Sequence, residues 1–428
     1  MHARLVALIA LVGALGFAGC KEEKGKEGAP SAKEGAAAQA GPSKITIGAT
    51  LPLTGAESRA GGFYKEGYDL AFEEANKKGG LNIGGRKVPV NLILLDDTST
   101  QATTVSLADR LVNNDKVDFL LGTYSTSLVQ AQSTAAEENK VPYVNGGGAA
   151  TEIYSRKYKY LFGLLAPVEL LGETLMQWID EQQKAGKLPR PAKIALLWEN
   201  TSHGKDFRKG ITEFAQKSGG GYEISVDESF ELNGKDYSSL LGKVKAAEAH
   251  LFLADAHLPD YITMHRQYVG AGLCHLVTSY GARGSEKAAI EALGQENVGY
   301  IVSAVWWNAQ VGEKNPLSKQ FVESFQAKYN RPPEWYQALA YETARALFVA
   351  IEQAGSVDRE AVRAKLAALD IESLLPGGRL KFPAEHGYQA QNSFVVQQNT
   401  PDGKAPIIFP KEVANGEGVV PNPRCAKK

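Results

Sequence analysis

Cysteine is scarce. The chain has 3 in 428 residues, and no two stand at zinc-ligand spacing. The 7 histidines are scattered, so no metal site is expected. A basic excess is missing as well. The formal net charge of −1 offers no cationic field for nucleic acid. No GxxxxGK[ST] phosphate loop, HExxH zinc helix or GxSxG nucleophile elbow occurs. Serines are present, but none sits in a recognisable motif with an evident base partner. Neither an enzyme nor a cofactor is indicated. The N-terminal apolar run holds about 15 residues, short of a membrane span.

Hydrophobic residues make up 43% of the chain, a globular proportion, and 428 residues suffice for two domains of ordinary size. Residues 1–20 have the form of a targeting segment. Arg4 supplies a positive start, Leu5 to Leu15 an apolar run, and Phe17-Ala18-Gly19-Cys20 a small-residue close before a cysteine. This resembles a bacterial lipoprotein signal. The resemblance implies export to the periplasmic side and lipidation of Cys20 as the sole membrane attachment. Lys21 after the cysteine points, by likeness to Gram-negative lipoproteins, to the outer membrane. Residues 21–43 are low-complexity Lys, Glu, Gly, Ala, Ser and Pro, expected to form a disordered tether. Its root-mean-square span would be roughly 25 to 30 Å.

The chemistry concentrates between Val117 and Thr151. The buried-strand run VDFLLGT leads to the hydroxyls Ser125, Thr126 and Ser127, then to a helical pattern. The next strand, VPYVN, runs into Gly146 to Thr151. Two successive strands thus end in small or hydroxyl residues, and the first opens a helix. Free backbone N–H groups and the positive end of the helix dipole suit an anion there, most simply a carboxylate. Taken singly, Ser125 or Thr126 could be only an N-cap and the glycines only a turn. Two such ends in an α/β pattern favour binding, because these sheets bind ligands at their carboxyl ends.

From Lys44 strands and helices alternate, and a second series starts after Lys159–Gly163, through KIALLWEN, YEISVDESF, HLFLADA and CHLVTSY. This predicts an α/β fold of two doubly wound parallel-sheet domains. GRLKF and NSFVVQQ read as two late strands.

KITIGATLPLTG, GYDLAFEEANKKGG, LLDDTSTQ, VDFLLGTYSTS and VPYVNGGGA resemble the leucine/isoleucine/valine-binding protein family, the substrate-binding components of ABC importers. The resemblance implies a type I periplasmic-binding fold with three crossover strands. These would fall near Gly163–Pro167, Ser303–Trp306 and Phe382–Glu385. The lobes would be 44–163 with 304–383, and 164–303 with 384–428. It implies a monomer that closes on a small ligand and docks on ABC permease subunits. By position, Ser125 and Thr126 match the hydroxyls that hold a ligand carboxylate. Gly148, Ala149, Ala150 and Thr151 match the adjoining loop, and Tyr336 matches a pocket aromatic. His203 stands where a tyrosine is usual; a helix cap or a solvated loop is the alternative. Tyr280 or Gly281 falls where a glutamate commonly takes the α-amino group, and Asp255 could assume that task. Adjacent strand residues Trp306 and Trp307 must point oppositely, one into core and one able to stack on ligand. Arg59 could meet an anion, and Asp96-Asp97 read as loop or capping charges. With Cys20 lipidated, Cys274 and Cys425 remain as a candidate disulfide in an oxidising compartment; a buried Cys274 and an unpaired tail Cys425 is the alternative. The expected ligand is an amino acid or related carboxylate. An amide, urea, an aromatic acid or a more apolar compound is the alternative, as is a ligand sensor.

Overall fold

The computed structural model describes residues 42–425. The expectations for the signal, Cys20 and nearly all of the tether concern residues outside that range. Among the described residues no helix is long and apolar enough to cross a membrane.

The strand Ile45–Leu51 is buried along its whole length. Thr46 and Thr50 are buried along with its apolar residues because helices cover both faces of the sheet. It lies between Val90–Asp96 on one side and Phe119–Leu121 on the other, and Tyr143–Asn145 and Leu161–Gly163 complete a five-stranded parallel sheet. The second sheet has seven strands. Ala192–Glu199 lies between Tyr222–Phe230 and Leu251–Asp255, followed by Val277–Tyr280 and Val302–Val305, all parallel. Val395–Gln398 and Ile407–Phe409 then add an antiparallel edge. The expected strand GRLKF belongs to neither sheet. Arg379–Lys381 pairs with Asp370–Glu372 in a separate hairpin, a partner too short and polar to have announced itself.

In both sheets the first strand is flanked by the second and third, so the chain leaves it in opposite directions. Crevices open at these switch points beyond the strand ends. In the first sheet the crevice lies after Leu51 and Leu121, in the second after Glu199 and Asp255.

Three stretches run side by side between the sheets. Gly163 bridges in parallel to Gln389, and its N–H and C=O bond to Tyr388 and Ala390. Trp306 Nε1 donates to the Ala166 carbonyl at 3.1 Å, and Asn392 Nδ2 to the Leu164 carbonyl at 3.2 Å. The third stretch therefore passes at Tyr388–Asn392, later than Phe382–Glu385, because Ala384–His386 forms a 3-10 turn. After Val302–Val305 the chain returns to the first sheet. There Trp335–Ala354 lies along Ser58–Lys77 so closely that a Cβ on Gly67 would meet the Gln337 carbonyl at 2.5 Å. That long helix opens with a capping box of Glu334 and Gln337.

Cys274 and Cys425 are joined in a disulfide. The tail beside it is ordered, not loose: Asn422 N donates to Leu276 O at 2.9 Å, and Gln398 brackets the Val419 backbone with two bonds.

Candidate functional site

Ser125 is the N-cap of the helix Thr126–Glu138, yet its side chain makes no capping bond. Its Oγ lies 3.4 Å from Ser127 Oγ, and Thr126 Oγ1 receives only a long 3.5 Å bond from Ala149 N. The hydroxyls therefore retain capacity at the helix N-terminus, as a ligand site would need. Ser125, Thr126, Gly147 and Ala149 border a narrow recess of ≈ 10 Å³, closed from the other lobe by His203, His257 and Arg283. Beneath them Asp97 accepts the Thr123 hydroxyl, and Asp96 ties Leu53, Thr54 and Thr98. Both acids thus knit the loops that carry the site.

The structure moves several expected contacts away from the cleft. Gly148 donates its N–H to Asn145 Oδ1 and accepts from Tyr154. It is a packing glycine, whose Cβ would meet Val129 at 2.7 Å. Ala150 is fully buried, and its carbonyl accepts from Ile153 N. Thr151 spends both its N–H and its hydroxyl on Asp206 Oδ2, at 2.7 and 2.9 Å. It is a bridge between lobes, not a free ligand donor. Tyr280 is core: its ring packs tilted against Tyr261 with centroids 4.2 Å apart, and its hydroxyl meets His265 Nδ1 at 3.1 Å. Next to it Gly281 takes a left-handed φ of +54°, and a Cβ there would meet Asp255 Oδ1 at 2.7 Å. Neither position can supply the acidic partner.

Trp306 and Trp307 do diverge. Trp307 is buried against Phe321 and donates to Ser318 Oγ. Trp306 lies against Trp335 and Phe394 and borders the recess. Tyr336 lines the larger cavity next to it, ≈ 280 Å³, together with Tyr124, His257, Leu258, Pro259 and Ile262. Arg59 is on this rim too, 3.5 Å from Glu334.

His203 and His257 face the cleft through carboxylates at the second switch point. His203 Nδ1 lies 2.7 Å from Asp255 Oδ2, and His257 Nδ1 lies 2.6 Å from Glu199 Oε2. Asp255 is thereby engaged through Oδ2. Donor atoms of Glu199, His203 and Asp255 lie within 4.8 Å of one another, a grouping that could hold a metal ion; here they pair among themselves and with His257.

Burial alone would lower the His257 pKa, but the Glu199 and Glu57 carboxylates outweigh it and raise it from 6.5 to about 9. Burial alone would raise Glu199, but His257 and His203 bring it from 4.5 to about 2. The His257 contribution to stability is complete below pH 6.5 and is lost as pH rises through about 9. The Glu199 contribution is complete above pH 4.5 and is lost as pH falls through about 2. Glu199→Gln should therefore abolish a loss of stability between pH 6.5 and 9 that the parent protein shows. Denaturant midpoints at the two ends of that interval check it. Equal slopes in parent and variant would refute the ion pair.

Sequence reasoning missed the pair that dominates the cleft. Arg283, 3% exposed, follows the turn after Val277–Tyr280. Its Nη2 donates to Tyr124 Oη across the lobes at 2.7 Å, and its guanidinium stands 5.3 Å from the Trp335 ring centre. Its Nε and Nη1 have no hydrogen-bond partner. Glu286, also 3% exposed, accepts from the Tyr336 hydroxyl at 2.7 Å through Oε1, which lies 3.4 Å from Arg283 Nε. Its Oε2 is unpartnered. Burial pushes the Glu286 pKa up to about 7 against the opposing pull of Arg283 and Tyr336. Buried polar groups are rarely left unpaired, because each costs about 1 to 3 kcal/mol. An arginine with two such nitrogens beside a cavity has the donors that a carboxylate can accept from. The available signal was GARGSE at a strand's carboxyl end, the same kind of place as Ser125.

Comparison with known proteins agrees with this architecture. The sequence pattern of the family described as "Periplasmic binding protein" matches residues 44–404. A relative from Brucella suis named Leu/Ile/Val-binding protein homolog 7 is 24% identical over 378 residues, 87% of this chain and 93% of its own. The leucine-, isoleucine-, valine-, threonine- and alanine-binding protein of Pseudomonas aeruginosa is 26% identical over 79% of this chain and 85% of its own. Among solved structures, a leucine-binding protein from Thermotoga maritima has TM-score 0.74 at 22% identity, covering 85% of this chain and 97% of that one. A solute-binding protein from R. palustris in complex with benzoate has TM-score 0.72 at 20% identity, covering 89% and 98%. With the two switch-point sheets and the site between them, these matches place the chain in the periplasmic binding protein family, of the Leu/Ile/Val-binding type and the type I fold.

Proposed function

We propose that this protein is the substrate-binding component of an ABC importer of the branched-chain-amino-acid type. It captures a small carboxylate by closure of its lobes, 44–163 with 304–383 onto 164–303 with 384–428, and hands it to permease subunits. The exported chain acts from a lipid anchor at Cys20. The observation that carries this reading is Arg283, buried in the wall between the two switch points with Nε and Nη1 unpaired. Ser125 and Thr126 at their helix N-terminus stand across the recess from it, so both lobes offer donors to one anion. The names of the relatives fit. The Pseudomonas aeruginosa protein is named for amino acids, and the R. palustris structure holds benzoate; these ligands share a carboxylate. Recognition needs only capture and hinge closure, with no bond made or broken.

A thermal-shift screen of the purified protein against amino acids, aromatic acids, amides and urea tests the proposal. At least one carboxylate class should raise the melting temperature and shrink the radius of gyration in solution scattering. Stabilisation by amides or urea alone would contradict it.

A further inference from the structure

The second switch point gathers side chains that carboxylate capture by Arg283 does not use. We infer that Glu199, His203 and Asp255 form a site for a divalent transition-metal ion of the zinc class, with one coordination position left for water or a ligand atom.

Topology brings the three together. Glu199 and Asp255 end neighbouring parallel strands, and His203 stands in the first turn of the helix Ser202–Lys217 that follows Glu199. All three are buried, at 1%, 6% and 2% exposure for Glu199, His203 and Asp255. Their donor atoms already cluster. His203 Nδ1 lies 2.7 Å from Asp255 Oδ2 and 3.8 Å from Glu199 Oε1, and all three donor atoms lie within 4.8 Å of one another. Ligand atoms around tetrahedral zinc stand about 3.3 to 3.5 Å apart, so these two edges bracket the one required. Charge points the same way. Two buried carboxylates need compensation, and among the described residues neither forms an ion pair with lysine or arginine. Their cationic partners are His203 and His257. One divalent ion matches both carboxylates; without it, hydrogen bonds to the imidazole Nδ1 atoms take its place. An outer shell is present as well. Glu199 accepts from Thr201 Oγ1 at 2.7 Å and pairs through Oε2 with His257, contacts that hold a ligating carboxylate in one orientation. An imidazole nitrogen among carboxylate oxygens suits zinc better than magnesium or calcium, which favour oxygen alone. Three protein ligands leave the fourth position open, and His203 borders the recess between the lobes.

Calorimetric titration of the purified protein, first dialysed against a chelator, tests the site with zinc chloride and with magnesium chloride. Zinc should bind at one equivalent, and about a hundredfold or more tighter than magnesium. His203→Gln and Asp255→Asn should each weaken zinc binding by about a hundredfold or more, since outer-shell contacts alone are worth about tenfold to a hundredfold. No zinc binding overturns the site, as does magnesium binding of equal strength. Zinc that binds both variants as it binds the parent sits elsewhere and overturns it too. If the variants fold poorly, X-ray absorption of the parent protein with zinc decides. One imidazole in an otherwise oxygen shell is expected; a shell with no imidazole, or with two or more, overturns the site. Carboxylate capture is judged separately by the thermal-shift screen, so either reading can fail without the other.

Discussion

Arg283→Gln is expected to lower affinity for any carboxylate ligand by about a hundredfold or more. The idle Nε and Nη1 can meet a carboxylate with two charge-assisted bonds, each worth about 1.5 to 3 kcal/mol. Glutamine is shorter and uncharged, and it cannot reproduce the fork. The free protein should lose some stability as well, because removing one partner of a buried pair leaves the other, Glu286, uncompensated. Affinity is therefore measured by calorimetry at a temperature where the variant is folded. A folded variant that binds normally would remove Arg283 from the site.

The second large effect is in stability alone. Cys274 and Cys425 are 151 residues apart in sequence, so their bond removes much freedom from the unfolded chain. Chain-entropy reasoning puts the gain at up to about 4 to 5 kcal/mol, and measured values are commonly lower. Cys274→Ser with Cys425→Ser should lower the melting temperature by several degrees or more. It should also release the tail around Val420 to hydrogen exchange, because the shallow burial of Val420 and the hydrogen bonds of Val419 and Asn422 are then left to hold it. Ligand affinity should hardly change, since the bond joins the tail to the start of a strand whose other end, at Tyr280, faces the cleft loops. Free thiols at both positions in protein from the oxidising compartment, shown by mass spectrometry of non-reduced peptides, would refute the bridge.

The architecture was legible because several of the buried parallel strands, such as those in VDFLLG, VPYVN and HLFLADA, are largely apolar runs bounded by glycines, hydroxyls or a helix start. VDFLLGTYSTS placed Ser125 and Thr126 at a strand's carboxyl end, where the structure has them. Side-chain direction was not legible by the same means. Val277–Tyr280 is covered on both faces, so its pattern has no polar parity to say which residues point where. Tyr280 was assigned to the cleft on position alone and lies in the core. Thr151 looked free because its partner, Asp206, is 55 residues away in the opposite lobe. Arg283 was invisible for a related reason. A loop arginine is ordinarily solvated, and its burial follows from Tyr124, 159 residues earlier. The pairing of His203 with Asp255 likewise requires two strands to be neighbours at a switch point, a fact of topology rather than of spacing.

The central claim is that a carboxylate seats on Arg283, and the Nε–H of that buried arginine can report it. In a proton–nitrogen correlation spectrum, the Arg283 Nε–H signal can be assigned by its absence in Arg283→Gln. Titration with the carboxylate that gives the largest thermal shift should move this signal, in proportion to the binding isotherm measured by calorimetry. A ligand that binds by calorimetry and leaves the Arg283 signal in place would contradict the account.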